Sequence, residues 1–212
     1  MSKIKQLKGY VNYGETLDKM EKLVKKVSEN IKYEEIWFLE HKNVYTAGSS
    51  TPKEFNKKKI NKIEVLKVNR GGKITHHGPG QLIIYPIINI KARNLNIIKY
   101  INEIEDICIA VFKNNQIKLR RKKEKNRGLW VKGKNGPRKI VFIGLRYSKG
   151  VIHHGLSINF NNDLEEFRKI DPCGLNGREI SSLEELKIKY DKNKIIDELK
   201  EKFIKKFYLN LI

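Results

Sequence analysis

Interleaved helical and strand patterns along 212 residues predict one α/β (or α+β) domain, a mixed β-sheet flanked by helices. Three observations carry that expectation. Segments 16–31 and 97–114 repeat apolar residues at spacings of three and four, the stripe of an amphipathic helix. Short apolar runs between and after them are bounded by Gly, Pro, Asn or Asp and read as strands. No Pro/Ser linker and no repeat divides the chain, so residues 1–212 read as a single domain with a helical tail from about residue 182.

In the first helix Leu17, Met20, Leu23, Val24, Val27 and Ile31 form the stripe. Residues 35–40 and 44–47 read as a strand pair, with Ile36, Trp37, Phe38 and Leu39 supplying bulk. The charged stretch 53–62, with Lys57, Lys58 and Lys59 consecutive, reads as a surface excursion. A short strand at 65–68 runs into a Gly-rich turn, 71–80, and then a buried-looking strand, 82–90. The second helix carries Ile98, Ile101, Ile104, Cys108, Val111 and Phe112 on its stripe. Strands follow at 129–132, 139–147 and 151–160. Ser182 with Glu185 has the capping-box spacing, and Ile195, Leu199, Phe203 and Phe207 line one face of a last helix.

Composition bounds the class. Apolar residues make up 39% and charged residues 33%, yet eight Phe, nine Tyr and two Trp suffice for a core, which excludes wholesale disorder. The net charge of +21 permits attraction to an acidic partner without choosing among nucleic acid, anionic lipid and protein. The apolar run 82–90 contains Pro86 and Asn89 and is far short of the roughly 20 residues a membrane helix needs, so no membrane role is expected. Two cysteines make a poor disulfide framework and no signal-peptide pattern opens the chain, so the cytoplasm is the expected address.

Rare residues concentrate in three segments. Four of the five histidines lie in His76-His77-Gly78 and His153-His154-Gly155. The segment 70–81 places four glycines between two strands, where backbone N–H groups can converge on a carbonyl, carboxylate or phosphate, or simply form a wide hairpin loop. Lys139 opens the apolar run 140–144. It can snorkel to water, or stand as a desolvated ammonium at the mouth of an apolar pocket. Cys173 sits between Pro172 and Gly174 in a sharp turn, whereas Cys108 falls on a helical stripe. If either thiol is a nucleophile, it is Cys173, and it needs a cation or N–H groups to lower its pKa. No CxxC or HExxH pattern accompanies the histidines, so no metal is expected. The basic runs 57–59 and 120–123 lack a recognition motif and read as solvated faces, so no nucleic acid is expected.

Taken together, 70–81 followed by Tyr85-Pro86 resembles the RGGxxTxHGPGQ…YP signature of the lipoyl(octanoyl) transferases. Matches continue in order: Gly128-Leu129-Trp130-Val131, Lys139-Ile140, Ile143-Gly144-Leu145-Arg146, His154-Gly155-Leu156-Ser157-Ile158-Asn159, Pro172-Cys173-Gly174 and Ser181-Ser182-Leu183. The resemblance implies the fold of biotin protein ligases and lipoate ligases. It also implies transfer of an octanoyl group from acyl carrier protein to a lysine of a lipoyl domain through an acyl-enzyme. Such domains occur in 2-oxoacid dehydrogenase complexes and the glycine cleavage H protein.

Carried over, Cys173 is the nucleophile and Lys139 the partner that lowers its pKa. Arg70, Gly71, Gly72, Lys73, Ile74, Thr75, His76, His77, Phe142, Ile143, Gly144, Gly155, Leu156 and Ser157 build the acyl pocket and carbonyl-binding backbone. No cofactor and no ATP are implied, because one thioester is exchanged for another and amide formation gives direction. Lys139 or His77 is the proton acceptor in the second step. His76 stands where the family often has Tyr, and Val141 and Phe142 where it has small residues. The acyl slot is therefore expected to be narrower or differently shaped. An ATP-dependent ligase on the same fold would not require Cys173. A basic nucleic-acid-binding module is the more remote alternative.

Overall fold

The computed structural model describes residues 3–122, 127–170 and 179–208. Among these residues eleven strands form two sheets. The larger sheet has seven: β1 (Ile4–Val11), β2 (Glu35–His41), β7 (Gln81–Asn89), β11 (Val151–Asn159), β10 (Gly136–Ser148), β9 (Leu129–Gly133) and β8 (Arg120–Arg121), in that spatial order. β1 runs parallel to β2, and the remaining pairs are antiparallel. The smaller sheet has the order β4 (Lys59–Ile60), β5 (Ile63–Lys67), β3 (Val44–Ala47), β6 (Ile74–His77).

β7 shows why the larger sheet sits mid-molecule. All nine of its residues are buried, because helices cover both faces. Leu82, Ile84 and Ile88 point into the main core, shared with α2 (Ile97–Asn114) and α4 (Lys192–Phe207). Ile83, Tyr85 and Ile87 point the other way, onto Met20, Val24 and Val27 of α1 (Tyr13–Glu29). The period-2 alternation of a strand thus feeds two cores at once. The C-terminal helix is no loose appendage, since Ile195, Leu199, Phe203 and Phe207 are all buried in the main core.

Both helices read from apolar stripes form: α2 has the expected bounds, whereas α1 starts and ends earlier than the expected 16–31. Asn12 and Asn96 accept from Glu15 N–H and Lys99 N–H, satisfying one otherwise orphaned donor at each start. The buried face of α1 is Tyr13, Thr16, Met20, Val24 and Val27, whereas Ile31 falls beyond the helix and is exposed. In α2 the expected stripe holds from Ile104 onward, but Ile98 is 62% exposed and Tyr100 takes the inward position.

Three strand expectations change. β2 and β3 do not pair with each other: Lys42 and Asn43 turn the chain out of the larger sheet into the smaller one. The Gly-rich stretch 71–80 is not turn throughout, since β6 occupies its centre and pairs with β3. β1, which carries only Ile4, Leu7 and Val11 toward the protein, is an edge strand missed by its weak pattern. Ser182 Oγ accepts from Glu185 N–H as the capping spacing expects, but the segment is a turn, and α4 begins only after Asp191.

Pro86 lies inside the central strand, opposite residues 153–155 of β11, where the ladder between the two strands is interrupted. Proline has no N–H to give. Across from it His154 adopts a left-handed φ of 56°, and its own N–H turns to the Met20 sulfur at 3.3 Å. At Gly155 a Cβ would stand 2.0 Å from the Ile84 carbonyl, so only glycine permits the strands to close up again beside this opening.

Candidate active site

The smaller sheet lies over this break, and between them is a narrow cleft with room for only about 40 Å³. Its apolar walls are Ile83, Phe142, Ile143 and Leu156, and its polar groups include Tyr13, Thr75, His77, Tyr85 and Ser157.

Arg70 shapes one end. Nη2 donates to Thr46 O and Oγ1, both at 2.7 Å, and Nη1 donates to Gly71 O (3.0 Å) and Lys73 O (2.9 Å). The guanidinium therefore staples the glycine loop back onto β3. Gly71 N–H donates across to Leu145 O on β10 at 2.8 Å, closing the loop over the larger sheet. Gly48 is required beneath it, since a Cβ there would meet Gly72 O at 2.3 Å.

Around Arg70 the histidines are kept neutral by burial. Desolvation lowers His41 and His76 to about 4 and His154 to about 3, and it holds His77 well below its ordinary value. His153 also falls to about 4 for the same reason. The positive field of Arg70 adds to the depression at His77 and His154. The Tyr13 and Tyr85 phenols are raised by burial and stay protonated. A permanent cation ringed by neutral hydrogen-bonding groups is an environment suited to a carbonyl oxygen that gains negative charge.

Five neutral buried histidines make the fold acid-sensitive. Each has a folded pKa below its unfolded value of 6.5, so unfolding takes up protons once the pH drops past that value. Their contribution is fully present above about 6.5 and declines toward about 4, by up to ~1.4 kcal/mol per pH unit for each group. Melting temperature is expected to be flat above about pH 7 and to fall steeply between about 6.5 and 5, above the usual carboxylate range. A flat curve across that interval would contradict neutral burial.

Lys139, on β10, is only 2% exposed. Its stem packs against Gly128, whose φ is 112° and where a Cβ would stand 2.9 Å from Lys139 Cε. Its Nζ lies 5.1 Å from the Phe142 ring centroid and 5.7 Å from that of Trp130. Phe142 is also a wall of the cleft, and it stacks on Phe167 of α3 (Glu165–Arg168) at 5.6 Å. Ser181 N–H donates to Lys139 O at 3.1 Å, and Ile180 bridges to Lys139.

Of the residues singled out in the sequence, Arg70, Gly71, Thr75, His77, Phe142, Ile143, Gly144, Gly155, Leu156 and Ser157 come together on this cleft. Lys73 is exposed and contributes its carbonyl to Arg70. Gly72 gives its carbonyl to Ser50 N–H, and Ile74 packs with Tyr45, Ala47 and Val65. His76 faces away, between Tyr45 (5.1 Å) and Phe167 (5.7 Å), and neither of its ring nitrogens has a partner among the described residues. Cys173 lies outside the described residues, as do its neighbours in 171–178. Cys108 is buried in α2, and desolvation pushes its thiol up to about 12.

Sequence reasoning missed Tyr13, Tyr85, Ile83 and His41. Tyr85 and Ile83 share a parity on β7 that a strand reading could have used. His41 is fixed from below, its Nε2 against Tyr85 Oη at 2.9 Å. Among the described residues no group of three or more His, Cys, Asp or Glu is arranged to hold a metal ion. Nor is any described helix long and apolar enough to cross a membrane. The basic runs differ in kind. Lys57, Lys58 and Lys59 are solvated, whereas Arg121 is paired with Glu105 and Asp106, and Lys122 lies 3.8 Å over the Trp130 ring.

Residues 12–208 match the profile of the lipoyl protein ligase A/B catalytic domain. An octanoyltransferase of Wolbachia sp. subsp. Brugia malayi is 38% identical over 198 residues, covering 93% of this chain and 95% of that protein. One from Legionella pneumophila is 33% identical over 199 residues, covering 94% of each. The fold is similar to P. falciparum LipL1 in complex with lipoate. The TM-score there is 0.71 at 16% identity, covering 98% of this chain and 62%, less than two thirds, of that one. It is also similar to a lipoate-protein ligase A bound with ATP, with a TM-score of 0.63 at 12% identity over 96% and 85% of the two chains.

Proposed function

Because the chain belongs to the lipoyl protein ligase A/B catalytic-domain family, an acyltransferase lineage, we propose that it carries an octanoyl group on Cys173. The donor is octanoyl-acyl carrier protein, and the acceptor is the lysine of lipoyl domains such as those of 2-oxoacid dehydrogenase complexes and the glycine cleavage H protein. One observation carries the reading most of the way. The cleft joins the apolar walls Phe142, Ile143 and Leu156 to an Arg70-stapled glycine loop, with the buried Lys139 behind its Phe142 wall.

The first step exchanges thioesters. The Cys173 thiolate attacks the carrier's thioester carbon, the C–S bond to the carrier's pantetheine breaks, and that thiolate takes up a proton. Lys139 as an ammonium favours the ionised Cys173 thiol. The chain neighbours support this pairing: Ile170, three residues before Cys173, packs on the smaller sheet, and Ile180, seven after, bridges to Lys139. N–H groups of the glycine loop and of 155–157 serve the tetrahedral oxyanion. The octyl chain lies against Phe142, Ile143 and Leu156. The +21 charge steers two acidic protein partners toward the cleft.

The similar ligase folds leave ATP-dependent activation as the second reading, since the ligase A structure holds ATP. Transfer from octanoyl-carrier to an apo lipoyl domain, run without nucleotide, separates the two. Full turnover is expected with no ATP present, and a requirement for ATP would overturn the acyl-carrier mechanism.

A further inference from the structure

A buried chain of side-chain amides runs from the cleft to the Lys139 strand. His77 Nδ1 lies 2.7 Å from Gln81 Oε1, Gln81 Nε2 donates to Asn159 Oδ1 at 2.9 Å, and Asn159 Nδ2 donates to Ser181 O at 3.1 Å. Gln81 and Asn159 are fully buried. Its direction is not arbitrary. A backbone carbonyl can only accept, so Ser181 O requires the NH₂ of Asn159, which turns Asn159 Oδ1 toward Gln81. That oxygen in turn requires the NH₂ of Gln81, so Gln81 presents its own oxygen to His77. An oxygen facing Nδ1 at 2.7 Å requires the proton to be on Nδ1. The N–H of Ser181, in the preceding peptide unit, donates to Lys139 O.

We propose that Gln81 and Asn159 are positioning residues that lock His77 as the Nδ1–H tautomer, leaving Nε2 as a bare proton acceptor at the cleft. His77 lines the cleft and its ring stacks on Tyr13 at 5.8 Å, so the imidazole is clamped in orientation as well as in tautomer. Burial and the field of Arg70 keep the ring neutral, as an acceptor must be.

The inference deepens the proposed transfer reaction and rests on it. In the second step the lipoyl lysine amine attacks the Cys173 thioester carbon. A C–N bond forms, His77 Nε2 takes a proton from the attacking nitrogen, and the C–S bond breaks. The departing Cys173 thiolate then recovers that proton from the imidazolium, leaving amide and free thiol. The first step has no amine to deprotonate and does not use Nε2.

Two measurements test the relay. Long-range ¹H–¹⁵N spectra of the imidazoles, with His77 assigned by its loss in His77→Asn, are expected to show a pyrrole-type Nδ1 and a pyridine-type Nε2 at neutral pH. The opposite tautomer, or an imidazolium, in the wild type would overturn the proposal whatever the variants do. In single-turnover kinetics Gln81→Leu is expected to form the Cys173 thioester within about twofold of the wild-type rate. Its transfer to the lipoyl lysine should be slowed about 10- to 100-fold. Gln81→Glu, whose carboxylate still accepts from Nδ1–H and favours the imidazolium, should restore the tautomer and move the midpoint of the transfer pH profile upward. Equal slowing of both half-reactions by Gln81→Leu would reduce the chain to a packing role and overturn the proposal. A wild type that forms no thioester would overturn the functional reading and the acceptor role with it, while the nitrogen signals would still report the tautomer.

Discussion

Cys173→Ala is expected to abolish transfer, with a loss of about 10³-fold or more, since no other group on the proposed path can hold the acyl chain. Cys173→Ser is expected to be equally inactive, because a hydroxyl beside an ammonium is not ionised at neutral pH as a thiol is. The control is internal. Cys108 is buried in α2 with its thiol pushed up to about 12, so it forms no thiolate, and Cys108→Ala should leave the transfer rate near wild type. The measurement is octanoyl transfer to an apo lipoyl domain at saturating carrier. Equal loss at the two positions would show that the cysteines matter for folding and not for acyl transfer.

The second large effect belongs to Lys139. Lys139→Met keeps the stem against Gly128 and Trp130 and removes only the charge, so the fold is preserved while the thiolate loses its partner. A thiol of ordinary pKa, about 8.5, is about 3% ionised at pH 7 and about three-quarters ionised at pH 9. Acylation by Lys139→Met should therefore be about 30-fold slower at pH 7 and recover by about 25-fold at pH 9, measured as the pre-steady-state rate of thioester formation. A loss that does not recover with pH would mean that Lys139 orients the site and does not ionise the thiol.

The parts of this fold that were legible are those governed by local chemistry. The second helix begins and ends where its stripe places it, because that stripe is set by spacings of three and four residues. The pairing of strands was not local. Residues 35–40 and 44–47 look like a hairpin, yet they enter different sheets because β7, far along the chain, is the better partner for β2. β6 was hidden because its four residues, Ile74–His77, give too little pattern to outweigh the flanking glycines. The site divides the same way. Motif residues from 70–81, 142–144 and 155–157 converge on one cleft, which spacing alone could never show. Tyr13 was invisible as a site residue because it starts an ordinary helical stripe. Gln81 was visible in the motif, but its bond to His77 depends on Asn159 and Ser181, two residues brought there only by the fold.

The most direct test of the central claim is the mass of the protein itself. After brief mixing with octanoyl-acyl carrier protein, without nucleotide and without acceptor, the intact chain should gain one octanoyl group. That adduct should map to the peptide bearing Cys173, be released by hydroxylamine, and vanish when an apo lipoyl domain is added. A chain that transfers octanoate while never carrying it, or that carries it on a residue other than Cys173, would contradict the account.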